Sequence, residues 1–121
     1  MGLSSVNDVL LLNSDTVVTN NWLNNILKCA YSSNDIATVT PLSNNATICS
    51  VPNFVQDNDL PDGFDIDSFA DLVSTKSLRL YPQLPTAHGF CMFIKRDILD
   101  IFGFFNLELF GKAMVKKMNF V

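Results

Sequence analysis

The chain is poor in basic residues, has a single histidine and three cysteines, and contains no long apolar run. Eight Lys and Arg against twelve Asp and Glu leave a net charge of −4 and a pI near 4.6. Phosphate-backbone binding needs clustered cations, so nucleic acid is not an expected partner. No apolar stretch approaches the roughly 18 to 20 residues that span a bilayer, so no transmembrane segment is expected. The first residues, Met1 to Ser5, also lack the basic and apolar regions of a secretory leader. The expected location is cytoplasmic, where the sequon at Asn45 to Thr47 stays unmodified. Cys29, Cys49 and Cys91 are odd in number, widely spaced and without a CxxC pair, a pattern of reduced packing thiols rather than a disulfide framework or a zinc site. Neither GxGxxG nor GxxxxGK[ST] occurs, which counts against a phosphate-cradling glycine loop. Linkers, repeats and low-complexity tracts are missing too.

What is present is enough apolar residue, 48% of 121, to bury one core in a single unit. The pattern alternates between strand and helix. Val9 to Leu12 is a short continuous apolar run, the signature of a strand covered on both faces in a parallel sheet. Between Thr19 and Tyr31, Trp22, Leu23, Ile26, Leu27 and Ala30 recur at helical spacing behind capping-type Thr and Asn residues. Ile36 to Thr40 reads as a strand stopped by Pro41, and Ser43 to Ser50 reads as a loop. After a turn at Pro61 to Gly63, Asp65 or Asp67 can cap a helix with Ile66, Phe69, Ala70, Leu72 and Val73 facing inward. Pro82 and Pro85 then break the chain before a strand at Phe90 to Ile94 and a helix from Arg96 to Phe102, with Gly103 as its C′ residue.

Asn13, Ser14 and Asp15 stand where the first apolar run breaks. A strand-to-turn corner favours these residue types for caps and Asx-turns, so alone they signal little. His88 has two readings, a loop histidine bonded to backbone or a catalytic group. Lys95 and Arg96 likewise read either as diphosphate contacts or as a solvated basic pair.

Order and spacing add to these separate signals. The succession of Leu12 to Thr16, Trp22 and Leu23, Thr40 to Asn45, Gly89 to Arg96, and Gly103 to Phe105 resembles family 2 nucleotide-sugar glycosyltransferases of the GT-A fold. That resemblance implies an α/β fold, part of a GT-A (Rossmann-like) mixed and mostly parallel sheet flanked by helices. It implies transfer of a sugar from a nucleotide-sugar donor to a glycan or lipid-linked acceptor. In such a reaction a divalent cation neutralises charge building on the departing diphosphate. Mn²⁺ or Mg²⁺ is therefore the implied cofactor, held by Asp15 at the strand end, because hard cations take one or two carboxylates plus phosphate oxygens. Asn13 replaces the first acid of the family's Asp-x-Asp motif. With Asp15 and Thr16 it makes up the implied donor site, while Asn44, Asn45, His88 and Gly89 would border the sugar and acceptor cleft.

The same resemblance frames residues 1–121 as one partial domain, without the N-terminal nucleotide-binding strands and the catalytic-base segment expected after Lys112. No catalytic residue is assigned. Residues 113–121 read as a frameshifted tail. One added G near codon 113, under permitted codons, converts Lys112 to Val121 into Lys-Gly-Tyr-Gly-Glu-Glu-Asn-Glu-Phe-Cys, close to the family's segment at that point. Genomic DNA read across codon 113 checks this. The expectations are a transferase by ancestry that is inactive as this chain, and a homo-oligomer. The rival reading is a noncatalytic α/β interaction or assembly module, separated from the first by Mn²⁺-dependent binding of a nucleoside diphosphate.

Overall fold

A computed structural model describes residues 6–46, 48–84 and 86–103. The sequence reading of residues 113–121 lies outside them. The described chain is a small α/β unit with a three-stranded sheet and three helices. Strand β1 (Val9–Leu12) has only apolar side chains, and successive ones point to opposite faces. Strand β3 (Cys91–Ile94) lies beside it, pairing Val9 with Ile94 through Leu12 with Cys91. On one face Leu10, Leu12, Cys91 and Phe93 meet Trp22, Ile26, Leu27 and Ala30 of helix α1 (Trp22–Ala30). On the other, Val9, Leu11, Met92 and Ile94 meet Ile98 and Leu99 of helix α3 (Arg96–Phe102). Each such Leu, Ile or Phe, fully buried, contributes about 1.5–3 kcal/mol of transfer free energy. The β1–β3 pair is thus the centre of the structure.

Strand β2 (Thr38–Val39) completes the sheet in the order β1-β3-β2. It is shorter than the expected Ile36 to Thr40, although the Lys95 amide donates to the Ala37 carbonyl at 3.2 Å and carries the ladder one step further. Both pairings are antiparallel, so the described sheet differs from the mostly parallel one expected. The reason is the placing of β3, which runs back between the other two. β1 and β2, each opposed to β3, therefore point the same way.

Helix α2 (Ile66–Lys76) starts where the sequence indicates, with Asp65 as its cap. The Asp65 carboxylate accepts from the Ser68 amide at 2.8 Å, and the Ser68 hydroxyl accepts from the Asp65 amide at 3.0 Å. The inward stripe expected of it is seen only in part: Phe69, Ala70 and Val73 are half-buried, Ile66 and Leu72 are exposed, and no residue of α2 is fully buried. Helical spacing shows which side chains share a face but not whether another element covers it. Gly103 ends α3 as expected, at φ +80°, a conformation open to glycine, with its amide donating to the Leu99 carbonyl at 2.8 Å.

The register also separates two groups of polar residues. Lys95 and Arg96 follow β3 at the sheet end where β1 begins. The Arg96 amide donates to the Asp8 carboxylate at 2.8 Å, its Nε donates to the Asn7 carbonyl at 2.7 Å, and the Tyr31 hydroxyl donates to the other Asp8 oxygen. Lys95 is buried, donating from Nζ to the Ser33 carbonyl at 3.0 Å and lying 5.2 Å from the Tyr31 ring centroid. Asn13 lies five residue steps beyond Asp8, about 16 Å at the usual rise of a strand. Lys95 is not solvated, and neither residue lies at the end of β1 that carries Asp15.

Candidate functional site at the strand ends

Because β1 and β2 share a direction, their carboxyl ends lie at one end of the sheet, joined there by the segment that leads into β3. The Asn13 amide donates to the Phe90 carbonyl at 2.8 Å and extends the β1–β3 ladder by one step. The chain then turns, with the Thr16 amide donating to the Asn13 carbonyl at 3.1 Å. This leaves Ser14 and Asp15 at the exposed corner. Thr16 folds back, and its hydroxyl reaches the same Phe90 carbonyl at 3.4 Å. From the side of β2, the Thr40 hydroxyl accepts from the His88 amide at 3.2 Å, and the His88 ring lies tilted over Phe90 at 5.5 Å. Asn13, Thr16, His88 and Gly89 are thereby gathered around one short segment. A side chain at Gly89 would meet nothing within 4 Å, so packing within the described protein is not what calls for glycine there.

Asn44 and Asn45 stand farther along the loop that leaves β2. This loop is organised by a residue that sequence reasoning missed. Asn58 is buried, and its Nδ2 faces the Ser50 hydroxyl at 2.7 Å and the carbonyls of Asn53, Gln56 and Asn44 at 2.9, 3.0 and 3.4 Å. Its Oδ1 accepts from the Asn53 amide at 3.1 Å. Ser50, fully buried, donates its hydroxyl to the Gln56 carbonyl. A lone Asn between two Asp residues has no periodicity, and only the folded loop reveals the convergence. Asn44 is drawn into this network, its Nδ2 donating to the Asn58 carbonyl at 3.0 Å. The Asn45 side chain is exposed, and its amide donates to the Ser43 hydroxyl at 3.1 Å.

Asp15 supplies one exposed carboxylate, two residues along the chain from Asn13. Among the described residues no three His, Cys, Asp or Glu side chains come together as a metal cage. The donor set fits a hard cation that takes a single protein carboxylate and completes its shell with phosphate and water oxygens. It does not fit a structural zinc site, and all three cysteines are free, Cys49 and Cys91 buried in packing.

No protein-family model, curated protein or solved structure matches this chain. Function therefore rests on the residues and their placement. Among the described residues, no helix is long and apolar enough to cross a membrane.

Proposed function

We propose that the carboxyl ends of β1 and β2 form the donor site of a family 2, GT-A-type glycosyltransferase. On this reading a sugar passes from a nucleotide-sugar donor to a glycan or lipid-linked acceptor. The observation that carries the proposal is the shared direction of β1 and β2, with Asn13, Thr16, His88 and Gly89 brought together at their carboxyl ends. In open α/β sheets ligands bind in the crevice at that end. A sheet whose β1 and β2 run together around one reversed strand is compatible with the mixed sheet that the resemblance implies.

In this site Asp15 would hold Mn²⁺ or Mg²⁺, and the bound ion would offset negative charge on a leaving diphosphate. Asn13 stands beside the same corner with a neutral carboxamide suited to ribose or phosphate oxygens, while the Thr16 hydroxyl, its proton directed to the Phe90 carbonyl, can still accept from a ribose hydroxyl. His88 and Gly89 border the corner from the β3 side. Asn45 extends the cleft along the β2 loop, while Asn44 has its amide engaged with Asn58 and acts by shaping that loop.

Paramagnetic broadening tests the placement. Mn²⁺ added with a nucleoside diphosphate should broaden the amide resonances of residues 13–16 and 88–90 well before those of residues 95–99 at the other sheet end. Uniform broadening, or broadening centred on other acids, would remove the assignment. A noncatalytic module would show no effect of the nucleotide on where Mn²⁺ acts.

A further inference from the structure

Helix α2 ends at Lys76, and the chain beyond it leaves large apolar side chains in solvent. Leu78 and Leu80 are 81% and 78% exposed, and Lys76, Arg79 and Leu84 are exposed with them. The backbone here is neither helix nor strand. Arg79 and Tyr81 take positive φ, 52° and 46°, which side chains of this size rarely adopt, and the Arg79 amide donates to the Ser77 hydroxyl at 3.1 Å. Leu72, also exposed, lies one turn before Lys76 on the same face of α2, so the mixture of leucine and cation begins within the helix.

Single exposed apolar residues are common, and what sets this segment apart is its charge. Residues 72–96 contain none of the chain's twelve acids, and Lys76 and Arg79 are interleaved with the leucines. The comparably exposed Val6, Val17, Phe54, Val55, Ile101 and Phe102 each lie within three residues of an aspartate. A surface built for another protein is depleted of charge at its core. Cations set between bare leucines suit an anionic bilayer instead, where apolar groups enter the acyl boundary, Lys and Arg meet lipid phosphates, and tyrosine favours the headgroup level.

We propose that the segment from Lys76 to Leu84 docks the protein reversibly on an anionic membrane surface. Leu78 and Leu80 enter the lipid, and Lys76 and Arg79 hold the phosphates above them. The docking surface stands apart from the strand ends. One consequence rests on the donor-site reading: Leu84 is four residues from His88, at most about 14 Å of chain, so the proposed cleft would stand close to the bilayer, where a lipid-linked acceptor presents its sugar.

Co-sedimentation of the whole chain with vesicles tests this. Phosphatidylcholine vesicles with about one third phosphatidylglycerol should carry the chain down at about 1–5 mM lipid, more weakly than a single myristoyl anchor would, and less as salt is raised. Leu78→Ser with Leu80→Ser, at positions too exposed to support the fold, should weaken binding about tenfold or more. Lys76→Gln with Arg79→Gln should reduce it to the level seen on pure phosphatidylcholine. Ile101→Ser with Phe102→Ser, similarly exposed but beside Asp100, should leave it unchanged. The assay contains no nucleotide, so its failure leaves the donor-site reading intact, and failure of Mn²⁺-dependent nucleotide binding leaves the docking intact. No difference between anionic and neutral vesicles at about 5 mM lipid would overturn the proposal. So would loss of binding in the Ile101 and Phe102 variant but not in the leucine variant. Sedimentation without vesicles that the leucine changes abolish would assign the segment to contact between copies and overturn it as well.

Discussion

Cys91 is the titratable side chain whose chemistry the fold alters most, since burial between β1, α1 and β2 pushes its thiol from 9.0 up to about 11. At neutral pH it is a protonated packing group. Cys29 is only partly buried, so iodoacetamide at pH 8 should modify Cys29 first and Cys91 only after denaturation, as mass spectrometry of timed samples would show. The raised value also sets a pH dependence. Stability from the Cys91 thiol is complete below pH 9 and is lost as pH rises through about 11, because the unfolded chain releases the proton first. Tyr31 acts in the same direction, its hydroxyl held protonated mainly by the bond to Asp8, so Cys91→Ala should reduce the alkaline loss without removing it. Urea midpoints at pH 8 and pH 10.5 would show this. Asn58 carries a different residue-scale prediction. Asn58→Ala should cost roughly 1–3 kcal/mol, the penalty for stranding buried polar groups. Asn58→Asp should be worse at pH 7 than at pH 4, because a carboxylate there would face the carbonyls of Asn53 and Gln56. At this scale the sequence revealed residue chemistry, such as reduced thiols and a strand-end acid. It could not reveal Asn58, whose importance comes from partners that only the folded loop assembles.

The elements were legible in proportion to how much of their information is local. β1 and α3 fall on the residues that the apolar run and the Gly103 stop indicate. The start of α2 follows from the Asp65 capping box, while its burial does not, since that depends on neighbours distant in sequence. Strand direction was misread for a related reason. A continuous apolar run shows that both faces are covered, and α1 and α3 do cover both faces of the β1–β3 pair, but coverage does not determine whether the adjacent strand is parallel. Helix α2, with no buried residue, should be the least protected of the three helices in hydrogen exchange. Asp65→Ala should raise its exchange rates further. The Ser68 hydroxyl chiefly, with the Ser68 amide, holds the Asp65 carboxyl below its ordinary value of 3.8. The cap therefore stabilises α2 above that value and is lost as pH falls through the lower folded value. Slower exchange in α2 than in α1 would contradict this account.

For the whole molecule, the sheet order leaves β1 as an outer strand among the described residues, with an apolar sequence and one ladder partner, β3. Edges of this kind pair with other strands unless blunted by charge or covered. Light scattering coupled to size-exclusion chromatography at micromolar concentration should therefore report a dimer or larger assembly, and a stable monomer would show that the edge is closed by the chain itself. The central claim concerns the end of that same strand. Which residues the fold would gather there was partly legible, because the segments around Asn13 and Gly89 could be recognised separately. Their meeting through the Phe90 carbonyl follows from the antiparallel register, which the sequence did not disclose. Calorimetry with a nucleoside diphosphate, in the presence and absence of Mn²⁺, tests the claim most directly when run on this chain and on Asp15→Asn. The account predicts heat of binding only with Mn²⁺ and its loss in the variant, while Lys95→Met and Arg96→Met, at the opposite sheet end, leave Mn²⁺-dependent affinity unchanged wherever the variant remains folded. Equal binding by Asp15→Asn would contradict it.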